Sequence, residues 1–120
     1  MIKTDAKINP IGKFIITKRR DAEYQFNLKA GNGEIILTSE GYTTKSGCKN
    51  GIESARVNSQ IDSRFERKIA VNDKYYFVLK AGNGEIIGKS QYYTTKSGME
   101  NGIQSVKENA RNAEIIDETI

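Results

Sequence analysis

The pentapeptide TTKSG occurs twice, at Thr43–Gly47 and again at Thr94–Gly98, and it is the first stretch whose residue types suggest chemistry. If each copy opens a helix, the free backbone N–H groups, the hydroxyls and the lysine could hold an anion such as phosphate. The residues of that reading are Thr44, Lys45 and Ser46 in one copy and Thr95, Lys96 and Ser97 in the other. It is not a P-loop, because threonines stand where glycines should precede Lys45. Helix capping by Thr43 or Thr44 explains the same residues without any ligand.

A second pattern is a set of lysines and a tyrosine at alternating positions of segments that read as strands: Lys29, Lys68, Tyr76, Lys80 and Lys89. Together with Asn27 and Thr38 they would point away from a buried face. An open sheet face carrying lysines and an aromatic ring can neutralise phosphates and stack bases, as single-strand nucleic-acid binders do. Val78 and Ile87 fall on that face by the same reasoning, and the aromatic signature of RNA-recognition sheets is absent. A solvated or protein-contacting face is the plainer alternative.

Catalytic constellations are lacking. The chain has no histidine, which removes the commonest general base. Its one cysteine, Cys48, aligns with Met99 in the second copy and lies on an apolar stripe, as a packing residue would. One thiol and no imidazole exclude a structural zinc site. Glu34 and Glu85 are isolated from each other, and Glu34 is expected to pair across its hairpin with Lys29. The sequence calls for no metal, no cofactor and no enzymatic activity, and its partners are open between nucleic acid and another protein.

Composition sets the remaining bounds. With 120 residues, the chain has the length of one ordinary domain. Nineteen basic and fifteen acidic side chains leave a net charge of +4, which favours anionic partners only if it gathers on one face. No apolar run is long enough to cross a bilayer, so no membrane partner is expected. MIKTDAKINP lacks the apolar core of a secretion signal, and a lone cysteine suits a reducing compartment. The expected location is the cytoplasm.

The elements that position these residues follow from a duplication. Shifting the sequence by 51 places aligns Tyr24 to Asn58 with Tyr75 to Asn109 without a gap, and roughly two thirds of the positions are identical. A unit of this size rarely buries enough surface alone, so the copies should share one core in a single domain, residues 1–120, with repeat one at about 12–61 and repeat two at about 62–120. YQFNLKA and YYFVLKA alternate with the period of a half-buried strand. AGNGE between β-rich runs signals a hairpin, and parity of register places Ile35, Leu37 and Ile86 in the core. RDAE and VNDK predict a further turn before each of these strands.

After the hairpins the period changes. Cys48, Gly51, Ile52 and Ala55 draw one helical stripe, and Met99, Gly102, Ile103 and Val106 draw its counterpart. Glycine inside a helix costs up to about 1 kcal/mol relative to alanine, so Gly51 and Gly102 imply a close approach of helix to sheet or helix to helix. SRFERKIAV supplies a strand that opens the second unit, and AEIIDET a closing one. The sum is an α+β fold, a tandem βββα repeat with one antiparallel sheet of about seven strands and two helices on one face. A completed tandem core predicts a monomer, while an unpaired sheet edge would permit a dimer.

The motifs KAGNGEII, YTTKSG, NGIESARVN and NGIQSVKEN, spread from about Phe14 to Ala110, resemble the YegP-like family of small bacterial proteins. The resemblance implies β3-α-β units that assemble one sheet with exchanged C-terminal strands, so that Ala113 to Thr119 would lie beside strands of the first unit. It brings no catalytic or binding residue with it. The function expected is that of a non-catalytic binding or interaction protein.

Overall fold

The alternation and the turn signals become seven strands and two helices in the computed structural model, which describes residues 12–120. The first repeat supplies β1 (Lys13–Lys18), β2 (Tyr24–Lys29), β3 (Ile35–Ser39) and α1 (Lys45–Asn58). The second supplies β4 (Phe65–Ile69), β5 (Tyr75–Lys80), β6 (Ile86–Lys89) and α2 (Lys96–Ala110), followed by the closing strand β7 (Glu114–Asp117). All seven strands form one sheet in the order β4-β5-β6-β3-β2-β1-β7.

The sheet is mixed, not wholly antiparallel. Strand β7 returns from α2 to the first repeat and lies parallel to β1, with Phe14 opposite Ile115 and Ile16 opposite Asp117. The exchange of the last strand is therefore present. The other edge of β1 is taken by β2, antiparallel, with Phe14 opposite Leu28, so β7 adds at the free edge of β1. Lys45 Nζ, in the first turn of α1, holds Asp117 Oδ2 at 2.9 Å and ties β7 to the first repeat. At the other end of the sheet β4 pairs only with β5 among the described residues, and its charged segment Glu66-Arg67-Lys68 suits an unpaired edge.

The two repeats meet in the middle of the sheet through β3 and β6, where Thr38 pairs with Lys89 and Ser39 with Gly88. Thr38 and Lys89 are equivalents under the 51-residue shift, so the pseudo-two-fold axis passes between them. Crowding at this axis explains one departure from the repeat. Gly88 stands where Leu37 stands in the first copy, and a Cβ there would lie 2.9 Å from the Thr38 carbonyl oxygen and 3.0 Å from Leu37 Cγ. One leucine fills the space at which two would collide.

Each hairpin is closed by a bond from the Ala30 N–H to the Glu34 carbonyl, or Ala81 to Glu85, with Gly33 and Gly84 at φ 89°. That left-handed position is the reason for a glycine. Asn32 Oδ1 accepts the Glu34 N–H at 3.0 Å, and Asn83 serves Glu85 in the same way. The register then shifts by a β-bulge between Leu28 and Lys29, so that Lys29 faces Ile35 while Leu28 faces Leu37. This corrects three sequence expectations. Ile35 and Ile86 are 42% and 43% exposed, outside the core, while Ile36 and Ile87 are buried in it. Parity counting fails because the bulge inserts one residue that no hydrophobic pattern announces. Glu34, at the turn closure, does not face Lys29, and no ion pair joins them among the described residues.

The core lies between the sheet and both helices. Phe14, Phe26, Leu28, Phe77 and Leu79 are fully buried against Cys48, Ile52 and Ala55 of α1 and Met99, Ile103 and Val106 of α2. Both helical stripes fall where the sequence put them. Thr44 and Thr95 are the caps, each accepting a backbone N–H, from Gly47 and Gly98, at 2.9 Å. The helical glycines are explained by a tyrosine that neither alternative foresaw: a Cβ on Gly51 would overlap Tyr42 Oη, and one on Gly102 would overlap Tyr93 Oη. Each tyrosine extends the sheet by one bridge, Tyr24 to Tyr42 and Tyr75 to Tyr93, and stacks on the neighbouring core phenylalanine.

Candidate functional site

The face of the sheet without helices is built from the alternate residues of the same strands. On the second repeat β4 and β5 place Lys68 opposite Tyr76 and Glu66 opposite Val78, and β5 and β6 place Val78 opposite Lys89 and Lys80 opposite Ile86. Four of the five residues singled out for nucleic-acid contact, Lys68, Tyr76, Lys80 and Lys89, are thereby gathered on one half of this face. Lys29 lies on the other half, on β2 beside Ile35.

Lys89 sits among aromatic rings. Its Nζ is 4.9 Å from the centre of the Tyr76 ring and 4.8 Å from that of Tyr92, and it donates to Tyr92 Oη at 2.8 Å. The two rings meet edge to face with centroids 5.4 Å apart. The bond to Tyr92 raises the Lys89 pKa above the ordinary lysine value, so the ammonium stays charged. Each contact of a cation with an exposed ring stabilises by about 0.5 to 1 kcal/mol, enough to hold the side chain in place. Tyr92, half-exposed, was missed in the sequence. Its signal was available in the repeat itself, because Gly41 occupies the equivalent position of the first copy.

The other lysines are less free. Glu66 Oε1 holds Lys80 Nζ at 2.7 Å, and its other oxygen is 3.8 Å from Lys68 Nζ. The bond from Lys80 and the neighbouring Lys68 charge lower the Glu66 pKa, so this carboxylate is ionised at neutral pH. Val78 is buried on this face, as the alternation requires, whereas Ile87 is on the core side because of the bulge. Beside the cluster a broad concavity of about 720 Å³ runs over the β3–β6 seam, lined by Ile35, Thr38, Glu40, Lys89, Gln91 and Tyr92. In the first repeat the positions equivalent to Tyr76, Lys89 and Tyr92 are Gln25, Thr38 and Gly41, and Thr38 Oγ1 donates to Asn27 Oδ1 at 2.8 Å.

The second candidate set is split between two helix starts. The hydroxyls of Thr44 and Thr95 are engaged as caps, and Lys45 is engaged by Asp117. Ser46, Thr95, Lys96 and Ser97 are exposed. Cys48 is buried at the first turn of α1, and burial, with Asp117 nearby, pushes its thiol up to about 11. A thiol with so little thiolate at neutral pH is a poor nucleophile. Among the described residues no group of three His, Cys, Asp or Glu side chains could hold a metal ion. No helix of the described residues is long and apolar enough to cross a membrane.

Comparison with known proteins decides the family. Residues 20–66 and 70–117 each match the model of a domain of unknown function, DUF1508. The chain belongs to the DUF1508 family. A UPF0339 protein of Shewanella oneidensis is 51% identical over 108 residues, covering 90% of this chain and 98% of the relative. YegP of Escherichia coli is 50% identical over the same length and the same shares. Among solved structures, the solution structure of the E. coli YegP protein superposes with a TM-score of 0.86 at 49% identity, covering 91% of this chain and 94% of that one. The Shewanella UPF0339 structure gives 0.84 at 51%, covering 88% and 90%. These relatives carry the names of uncharacterised proteins, and none indicates a specific role. The first match covers β2, β3 and α1 and reaches the start of β4, and the second covers β5, β6, α2 and β7, so the duplication read from the letters is also a duplication of the family's own unit, with β1 outside both matches.

Proposed function

We propose that this is a non-catalytic cytoplasmic binding protein whose ligand surface is the helix-free face of the sheet, and that the ligand is single-stranded nucleic acid. The observation that carries this reading is the Tyr76–Lys89–Tyr92 cluster. Two tyrosine rings and a fixed ammonium lie on one accessible surface, next to a concavity of about 720 Å³. Rings of this kind stack bases without regard to sequence, and ammonium groups follow the phosphates. Lys29, without a carboxylate partner among the described residues, would extend the charged track to the first repeat. A buried, reduced cysteine supports the cytoplasmic assignment.

The test is a fluorescence-anisotropy titration of short single-stranded RNA and DNA at two salt concentrations. Tyr76→Ala and Tyr92→Ala are each expected to weaken binding by about 5- to 150-fold, the loss of one stacked base. Lys89→Gln is expected to lower the slope of log K against log salt by about 0.7, one phosphate contact on a single strand. Absence of saturable binding to either polymer, or binding unchanged in both tyrosine variants, contradicts the proposal.

A further inference from the structure

The duplication also builds a recurring feature between each helix and the hairpin of the other repeat, which shares Glu40, Glu34 and Gln91 with the rim of the concavity on the helix-free face. Between α1 and the tip of the β5–β6 hairpin lies a groove of about 400 Å³, whose polar lining is Glu40, Tyr42, Asn50, Ser54 and Glu85. Between α2 and the tip of the β2–β3 hairpin lies its counterpart of about 220 Å³, with Gln91, Tyr93, Asn101, Ser105 and Glu34 at the corresponding places. The 51-residue shift converts one set into the other with a single change, Glu40 to Gln91. Each groove takes its helix and its tyrosine from one repeat and its hairpin from the other. Neither repeat forms one alone.

The chemistry of the two grooves is one-sided. No lysine or arginine is among the lining residues of either; Arg19 lies against Gly41 at the rim of the first and pairs with Asp21. What they present is carboxylate, amide and hydroxyl oxygen. In the first groove Glu40 and Glu85 approach from opposite repeats, and neither has an ion-pair partner among the described residues. Both lie close enough to the Tyr42 phenol to add to the rise in its pKa, which burial and Cys48 begin. In the second groove the Tyr93 hydroxyl is shielded from water, with the Gln91 side chain in reach but no well-formed hydrogen bond among the described residues. A buried polar atom left unpaired is costly, and a donor entering the groove would relieve it.

We infer that the twin grooves bind a small organic cation with a primary ammonium group, and that the first groove, with two carboxylates, binds it more tightly than the second, with one. Such a group brings three N–H donors to a site made of acceptors. The shared chemistry has two sources, a free amine or the side chain of a lysine in a partner, and the two are separable by experiment. Because Glu40 and Gln91 also line the concavity, occupancy of the grooves is read at Asn50, Gly51, Ser54, Asn101, Gly102 and Ser105, which line the grooves and not the concavity.

The test is a set of ¹H–¹⁵N NMR titrations of the full chain at constant ionic strength, with 1,5-diaminopentane, with an Nα-acetyl-lysine amide, and with 1-pentanol as the uncharged control. Saturable shifts of Asn50, Gly51, Ser54 and Glu85 with at least one amine and none with pentanol are expected, with weaker binding read at Asn101, Gly102 and Ser105. Saturation by diaminopentane alone identifies a free amine as the source, and saturation by the lysine amide identifies a side chain. Glu40→Gln reproduces the residue that the second groove already carries, and it should weaken the first groove by about tenfold, a loss of ~1.4 kcal/mol. Gln91→Glu should strengthen the second by a similar factor. Shifts that do not saturate, that spread over carboxylates across the whole surface, or that ignore both substitutions overturn the inference.

Discussion

The two faces of the sheet have fared differently since the duplication. On the core side of β2 and β5 the two copies carry the same residues, Tyr24, Phe26 and Leu28 matching Tyr75, Phe77 and Leu79. On the other side of the same strands Gln25 has become Tyr76 and Asn27 has become Val78, and near the axis Thr38 has become Lys89 and Gly41 has become Tyr92. Packing explains the first half of the contrast, since a close-packed interior resists changes of even one methylene. On β3 and β6 the core side keeps Ile36 and Ile87 but differs at Leu37 against Gly88, at the pseudo-two-fold axis, where geometry forbids the symmetric solution. The helix-free face answers to no such constraint. Its divergence has placed an aromatic and cationic cluster on the second repeat only, which is what recognition of an asymmetric ligand by a symmetric scaffold requires.

The contrast can be broken first through the core. Ile52→Asp and Ile103→Asp each put an unpaired charge at a buried site, and each should cost several kcal/mol, on the order of 3 to 5, in thermal or urea melts. Tyr76→Ala and Thr38→Ala should cost less, about 0.5 to 1.5 kcal/mol each, the first for its contacts with Lys89 and Tyr92 and the second for its hydrogen bond to Asn27. Melts of both aspartate variants that matched the parent would remove the distinction between the faces.

The tyrosine-on-glycine contact sharpens the same comparison at smaller scale. Gly51→Ala and Gly102→Ala would gain about 1 kcal/mol of helix propensity if only the helix mattered. Overlap with the tyrosine hydroxyl should outweigh that gain, with a net loss of about 1 to 2 kcal/mol from overpacking. Combining Gly51→Ala with Tyr42→Ala should show clear non-additivity in a double-mutant cycle.

The tether of β7 has a pH signature. Hydrogen bonds from Thr119 and Lys45 hold the Asp117 carboxyl well below the usual carboxylate range. Its folded pKa is depressed, so the contribution is fully present above the unfolded value near pH 3.9 and is lost as pH falls toward the folded value. Asp117→Asn should therefore lower stability at pH 7 and lose less than the parent between about pH 4 and pH 2, measured by urea midpoints across that range.

The smallest expected effect concerns the turn before β2. Ala22 holds φ 70° and Asp73, its counterpart, φ 65°. Alanine is strained in that region where glycine is not, so Ala22→Gly should stabilise by up to about 1 kcal/mol, in contrast to glycine elsewhere in a strand or helix.

Much of this architecture is legible in the letters because the repeat doubles every signal. Thr44 and Thr95 cap their helices, Ile52 and Ile103 lie on the buried stripes, and the last strand crosses to the first repeat. What stays hidden is set by contacts distant in sequence. The bulge that exposes Ile35 and buries Ile36 arises from how a five-residue turn closure meets the strand pairing, and the parity of the letters carries no trace of it. The parallel sense of β7 depends on the direction in which the chain returns from α2 to the free edge of β1, which no hydrophobic pattern within the strand records. On the candidate face, Lys68, Tyr76, Lys80 and Lys89 could be placed by alternation, but the role of Glu66 in holding two of those lysines could not, because it depends on cross-strand neighbours. Tyr42 and Tyr93 read as residues leading into caps, and their seat on the helical glycines appears only once the helix and the sheet are docked.

The most direct measurement is an amide chemical-shift map of the full chain titrated with a short single-stranded RNA. The account predicts saturable changes at Tyr76, Val78, Lys89 and Tyr92, extending toward Lys29, with Gln25 and the buried residues of α1 and α2 unmoved. Changes centred on the two TTKSG turns, or spread equally over the equivalent positions of both repeats, would contradict it.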